Sequence, residues 1–328
     1  MSESKELEVV EIHPLELSAS TAAWIREELA ASVSESTWRG WKSDMRRFGA
    51  WLGQPVTFPL SVVTVLKFIE EHREKYALGT IERMLATLST GHNQAEEAGK
   101  IPEDSPNAAR SKQVRRVMIA ARKNDAKAGI KPAKKRAATR DIIDQLIAVC
   151  DDSLRGKRDK AIIRVGFSSG GRRRSELAGL KVEDLTDTPD GYLWDLGVSK
   201  TNQEGAFDPK PIKNDAALFL REWLEASGIE SGYVFRGITK SGTLWNTGKP
   251  MHGGRAIAQA IQARAKQAQL DHKAFGGHSL RSGYVTEAGR SKEIARESAM
   301  NLTGHRSATI FNSYYQAGDV MKDPAGDL

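Results

Sequence analysis

Between Gly277 and Tyr315 the sequence gathers side chains suited to chemistry on a phosphate. In Gly277-His278-Ser279-Leu280-Arg281, a histidine and an arginine stand three residues apart, on one face if the segment is helical. A second helical run reaches Thr303, where Gly304 would end it and His305 follows. Tyr314 lies nine positions beyond His305, beside Tyr315. An arginine, two histidines and a tyrosine, with no carboxylate among them, suit gripping a phosphate and attacking it. They suit metal binding or proton abstraction from carbon less well.

A phosphodiester is anionic, and attack on it builds further negative charge. Guanidinium groups meet that charge with paired donors and keep their own charge throughout. Preorganised charge of this kind is usually the largest catalytic contribution. Arg281 therefore calls for a second arginine, and Gly170-Gly171-Arg172-Arg173-Arg174-Ser175-Glu176-Leu177 offers three. Glu176 is one helical turn from Arg173 and can brace it. It is a poor base, because a carboxylate beside the phosphate would repel it. Tyr314, a phenol with an ordinary pKa near 10, needs cationic surroundings and a proton acceptor to attack. His278 or His305 can accept the proton, or only donate hydrogen bonds to the phosphate. Tyr315 is the alternative nucleophile.

These residues need a scaffold, and 328 residues suffice for about two domains. The chain is 39% apolar and 28% charged, an ordinary globular balance. No apolar run approaches the length of a membrane span, and the acidic start, with Glu3, Glu6, Glu8, Glu11 and Glu16, is no signal peptide. A single cysteine, Cys150, fits a reducing cytoplasm. It falls on the apolar face of a predicted helix and reads as a buried, inert thiol. Net charge is +7 and pI about 9.3, a moderate signal for a polyanionic partner.

Residues 1–20 read as a mobile acidic tail, with a helical region opening near Ser20. Trp38, Trp41, Met45, Phe48 and Leu52 repeat at three and four and predict a helix capped by Ser36 or Thr37. Arg39, Lys42, Arg46 and Arg47 fall off that stripe. Three more helices follow, around Val62–Ile69, Thr80–Gly99 (with Arg83 and Thr87 on its outer face) and Asn107–Lys123. Residues 21–123 thus form an all-α bundle. Residues 124–138 lack periodicity, contain Gly129 and Pro132, and carry Lys127, Lys131, Lys134, Lys135 and Arg136. They read as a basic linker that would let two basic domains close around a duplex.

The second domain, 139–328, opens with Thr139 as an N-cap. Helices around Ile143–Cys150 and Lys157–Ser168 precede two predicted strands, Tyr192–Val198 and Phe207–Ile212. The polar loop between them carries Lys200. Ala216–Leu224 and Arg255–Ala268 read as helices, the latter with Arg255, Gln259, Gln262 and Lys266 on one face. Such a stripe suits base edges and phosphates in a major groove, or an ordinary solvated helix. The expected class is mostly α: an N-terminal helical bundle and a C-terminal α+β domain with a small antiparallel sheet. No Cys-x-x-Cys or His-Glu-x-x-His spacing occurs, His252-Gly253-Gly254 is too short for a nucleotide loop, and no Walker motif is present. Neither metal nor cofactor is expected.

Arg173-Arg174-Ser175-Glu176-Leu177, Ser199-Lys200-Thr201, Gly277-His278-Ser279-Leu280-Arg281 and Gly304-His305 with Tyr314, in this order and spacing, resemble the catalytic domain of the tyrosine recombinases, the phage integrase family. The resemblance covers most of residues 139–316. The N-terminal domain is similar to the family's core-binding domain, with Ser36-Thr37-Trp38 and Ala50-Trp51-Leu52 nearest to Cre-like members. At His305 the chain departs from Cre itself, which has tryptophan there, and follows the broader family. The resemblance selects Arg173, three before the glutamate, as the second phosphate ligand, and leaves Arg172 and Arg174 at the surface or facing DNA. It makes Lys200 the general acid for the departing 5′-oxygen and implies a 3′-phosphotyrosyl intermediate that needs neither ATP nor metal. It further implies double-stranded DNA with inverted-repeat sites, a homotetramer on DNA that is monomeric or weakly associated when free, and a prokaryotic, phage or plasmid origin. Expected DNA contacts are Arg39, Lys42, Arg83, Thr87, Lys134, Lys135, Arg136, Arg255 and Gln259. A type IB topoisomerase-like nicking-closing enzyme and a non-cleaving DNA-binding regulator are the alternatives. The segment after Tyr315 is short, with Val320 and Met321 as its only evident anchors for a neighbouring subunit.

Overall fold

The computed structural model describes residues 33–130, 135–197, 202, 205–245, 248–251, 254–291 and 293–315. The acidic tail, Lys134, Lys200 and the segment after Tyr315 lie outside the described residues. The chain divides into two compact units, with the boundary between Ala133 and Lys134.

The first unit is helical among its described residues: α1 (Glu35–Leu52), α2 (Val62–His72), α3 (Leu78–Glu97) and α4 (Lys112–Lys127). Phe48 from α1, Val65 and Phe68 from α2, Ile81 and Met84 from α3 and Val114 from α4 close one core. Ser34, rather than Ser36 or Thr37, caps α1 by accepting from the Thr37 amide at 3.2 Å. Both expected caps already lie inside the first turn.

Thr87 was expected to face DNA, yet it is buried. Its hydroxyl donates to Asp44 Oδ2 at 3.1 Å, and the same buried carboxylate pairs with Arg83. A polar group under a helix–helix contact must be hydrogen-bonded, and Asp44 on α1 is the group that Thr87 and Arg83 satisfy. Arg83 stays half-exposed, with its charge shared with Asp44. Arg39 and Lys42 are exposed, Arg39 in an i,i+4 pair with Glu35.

The expected linker is partly structured. Helix α4 continues to Lys127. Beyond the boundary, the Arg136 amide donates to Ala274 O at 2.8 Å and the Ala138 amide to Ser279 O at 2.9 Å. The Arg136 guanidinium lies 5.7 Å from the Phe275 ring centre, and Lys135 donates to the Lys273 carbonyl. Residues 135–138 therefore run along the second unit as part of it.

That unit contains α5 (Arg140–Ala148), α6 (Leu154–Ser168), α7 (Arg174–Gly179), β1 (Leu185–Thr188), β2 (Gly191–Asp195), β3 (Pro209–Lys213) and α8 (Asp215–Ser227). It continues with α9 (Arg255–Gln267), α10 (Gly277–Arg290), α11 (Arg296–Thr303) and α12 (Ala308–Tyr315). The sheet is antiparallel in the order β1-β2-β3, with Leu185 opposite Trp194 and Tyr192 opposite Ile212. Two strands were expected; β1, Leu-Thr-Asp-Thr, has too little apolar alternation to show itself. Ala161, Ile162, Ile163, Val165 and Phe167 make α6 the central helix, buried on several sides. Cys150 is buried, donates to Leu146 O at 3.3 Å, and burial raises its thiol to about 11. No described helix is long and apolar enough to cross a membrane.

Inside this unit Asp159 holds two buried arginines. Oδ1 accepts from Arg158 Nε and Nη2 at 3.0 and 2.8 Å, and Oδ2 from Arg264 Nε and Nη2 at 2.9 and 2.8 Å. Asp159→Ala strands both guanidinium groups away from water. It is expected to destabilise the protein by about 3–5 kcal/mol, read by thermal or urea denaturation.

Candidate active site

Four segments of the second unit converge. The first is the turn Gly170–Arg173 leading into α7. Gly171 has φ +67, and a Cβ there would sit 2.5 Å from Arg281 Cα. Only glycine allows both the left-handed backbone and this contact with α10. Arg173 follows at the N-terminus of α7. Glu176 Oε1 accepts from Arg173 Nη1 at 2.5 Å while Oε2 accepts from the Arg173 amide at 2.9 Å. The glutamate therefore braces its arginine at both ends, as its spacing suggested, and leaves the Arg173 side chain 24% exposed.

Arg172 corrects the reading of it as a surface or DNA-facing side chain. It is 1% exposed. Nη2 donates to Leu302 O at 2.5 Å and to Gly170 O at 3.3 Å, and Nη1 lies 3.8 Å from Glu176 Oε2. Burial lowers its pKa, against the opposing pull of Glu176. Two left-handed glycines turn the chain inward just before Arg172, and three adjacent arginines gave no means of telling which would follow. Arg174 is exposed, as expected.

The second segment is α10, where Gly277 starts a helix that carries His278 and Arg281 on one face. Arg281 is buried. Nη1 donates to Gly171 O at 3.2 Å and Nε to His305 Nε2 at 3.3 Å. Nη2 is buried and finds no hydrogen-bond partner among the described residues. Burial first, then the cations Arg173 and Arg172, bring the Arg281 pKa down to about 9, which still leaves it charged at neutral pH.

The third segment is the end of α11. Gly304 adopts φ 65, its amide donates to Asn301 O at 3.1 Å, and the helix stops where the glycine predicted. His305 Nδ1 stands 2.7 Å from Thr303 Oγ1. Burial and then Arg281 and Arg173 push the His305 imidazole down to about 4, so it is neutral at physiological pH.

The fourth is α12. Tyr314 OH is 3.4 Å from His278 Nε2, with the rings edge to face at 5.9 Å. Tyr315 instead stacks on the buried Phe311, centroids 5.3 Å apart. The His278 pKa is also lowered, by burial first and then by Arg281 and Arg173. The tyrosine therefore faces a ring that burial and the two cations favour in its neutral form, one helical turn from Arg281.

A cleft of about 430 Å³ adjoins His305. Asn202, Asp208, Lys210, Asn301 and Arg306 are among its lining residues. Sequence reasoning passed over Lys210, which is buried and donates to Asp208 Oδ1 at 2.5 Å. It was not found because a lysine in a polar hairpin carries no local sign of burial. On α9, Arg255 and Gln259 are exposed, whereas Gln262 donates to Phe275 O at 3.0 Å and serves the fold. Among the described residues no group of three or more His, Cys, Asp or Glu could hold a metal ion.

A helical unit joined to an α+β unit that sets arginines, histidines and a helix-borne tyrosine together defines an enzyme of DNA strand transfer. Residues 136–320 match the phage integrase family, and the chain belongs to that family as a tyrosine site-specific recombinase that cuts and rejoins DNA. It is similar to an integrase/recombinase xerD homolog of Selenomonas ruminantium, 30% identical over 312 residues, covering 92% of this chain and 87% of the relative. The Tn1549 transposon integrase in complex with circular intermediate DNA shares the fold, with TM-score 0.61 and 16% identity over 90% of this chain and 93% of that one. A lambda integrase tetramer bound to a Holliday junction also shares it, with TM-score 0.58 and 16% identity over 90% of this chain and 76% of that one.

Proposed function

We propose that Tyr314 is the nucleophile of this recombinase, and the observation that carries the reading is its hydroxyl 3.4 Å from His278 Nε2. Arg173 and Arg281 grip the non-bridging oxygens of the scissile phosphate, and Glu176 holds Arg173 in place. Tyr314 passes its proton to His278 as its oxygen bonds to phosphorus. The bond from phosphorus to the 5′-oxygen breaks, and Lys200 gives that oxygen a proton. The product is a 3′-phosphotyrosyl link and a free 5′-hydroxyl. Attack by another 5′-hydroxyl reverses these steps without an energy source. His305 orients Arg281.

Arg39, Lys42 and Arg83 in the first unit, and Lys134, Lys135, Arg136, Arg255 and Gln259 in the second, contact double-stranded DNA. The sites are inverted repeats, and a homotetramer holds two duplexes during exchange, in a prokaryotic cytoplasm. A lambda integrase assembly of that size on a Holliday junction supports this stoichiometry.

The test is incubation with a nicked suicide substrate, then a denaturing gel and peptide mapping of the attached residue. An adduct on Tyr314 is expected; an adduct on another residue, or none, overturns the reading. Recombination between two marked sites separates exchange from simple nicking and closing. Lys200→Ala is expected to slow cleavage about 10²- to 10⁴-fold on normal DNA, with a better 5′ leaving group restoring the rate. Equal slowing on both substrates removes Lys200 from the acid role.

A further inference from the structure

We propose that Thr303 is a positioning residue: it fixes His305 as the neutral imidazole protonated on Nδ1, and through that ring it sets the orientation of Arg281. The inference rests on the reading of Arg281 as a phosphate ligand.

Thr303 is fully buried at the last turn of α11. Its hydroxyl donates to Met300 O at 2.9 Å. A hydroxyl has one hydrogen, so toward His305 Nδ1, at 2.7 Å, Oγ1 can only accept. Nδ1 therefore carries a proton. On the other side of the ring, Arg281 Nε lies 3.3 Å from His305 Nε2 and has only a hydrogen to offer. Nε2 must therefore present its lone pair. The two contacts, one on each ring nitrogen, select the same neutral tautomer. The opposite tautomer would set two donors against each other at Arg281 and leave Nδ1 without a hydrogen for Thr303. A doubly protonated ring would face the guanidinium charge with a charge of its own, which agrees with the depressed pKa of about 4.

The consequence reaches the phosphate ligand. With Nε held by His305 and Nη1 by Gly171 O, the plane of the Arg281 guanidinium is set from two directions. Nη2, without a partner among the described residues, has both of its hydrogens left to donate. A valine at 303 keeps the shape and removes the oxygen. It frees the ring to exchange tautomers and lets Arg281 lose its acceptor, although neither residue is itself changed.

The test combines nitrogen-15 NMR of labelled histidine with single-turnover cleavage of a nicked substrate by the full chain. At neutral pH His305 of the wild type is expected to show protonated Nδ1 and unprotonated Nε2. Thr303→Val is expected to lose that pure signature and to cleave about tenfold more slowly, the rate equivalent of one lost hydrogen bond, with DNA affinity unchanged. Thr303→Ser, which restores the hydroxyl, should recover both. A wild-type His305 protonated on Nε2, or on both nitrogens, overturns the proposal. So does a folded Thr303→Val that keeps both tautomer and rate. The wild-type spectrum needs neither a variant nor activity. Failure to find any phosphotyrosyl adduct would therefore sink the assignment of the site, while the tautomer still decides the part played by Thr303.

Discussion

Tyr314→Phe should bind DNA as tightly as the wild type and form no covalent adduct with it. The change removes one oxygen from a half-buried ring that packs against the cluster of Val285, Ala288, Ala299 and Phe311. The fold and the DNA-facing surface are therefore kept. What is lost is the atom that faces His278 Nε2. Removing a nucleophile that acts as one unit with its base costs on the order of 10⁴-fold or more, which on a gel is the disappearance of the trapped band. Tyr315 cannot substitute from where it sits. Successive residues on a helix point about 100° apart, and its ring is held against Phe311. A mobility shift and a denaturing gel on the same samples separate binding from attachment. Persistent trapping by Tyr314→Phe, with loss in Tyr315→Phe, would exchange the two tyrosines.

The legibility of this site followed the range of the interactions involved. His278 and Arg281 share a face because three residues make nearly one turn, and Gly304 ends α11 because the left-handed region favours glycine. Both are local rules, and both could be read directly. The Glu176–Arg173 brace is equally local. Thr87 was misplaced because its burial depends on Asp44, a partner 43 positions earlier in the chain. Arg172 was misplaced because its acceptor, Leu302 O, comes 130 positions later. A polar side chain at a mainly exposed periodicity gives no warning that a distant carbonyl or carboxylate needs it. The β1 strand was missed for a related reason: its partner strand, and not its own alternation, makes it a strand. Thr303 looked like any helical threonine until the two ring nitrogens of His305 were located.

Arg281→Met should cut the cleavage rate about 10²- to 10³-fold while reducing DNA affinity only slightly, because one phosphate contact among many is lost from binding and most of the stabilisation of developing charge is lost from attack. Arg281→Lys should fall well short of rescue. An ammonium keeps the charge but cannot donate to His305 Nε2, to Gly171 O and to an oxygen of the phosphate in one plane. A second readout distinguishes this from simple damage. His305 is held to about 4 by burial first and by Arg281 next. Removing the guanidinium relieves that second cause and leaves the first, so the His305 pKa must rise in Arg281→Met, and the imidazole must become easier to protonate. The two observations are linked by one geometry: the arginine proposed to grip the phosphate also helps to keep the neighbouring ring neutral. A large loss of cleavage with no upward movement of the His305 titration would mean that Arg281 acts on the rate without resting against that ring, and the arrangement of α10 against the end of α11 would have to be redrawn.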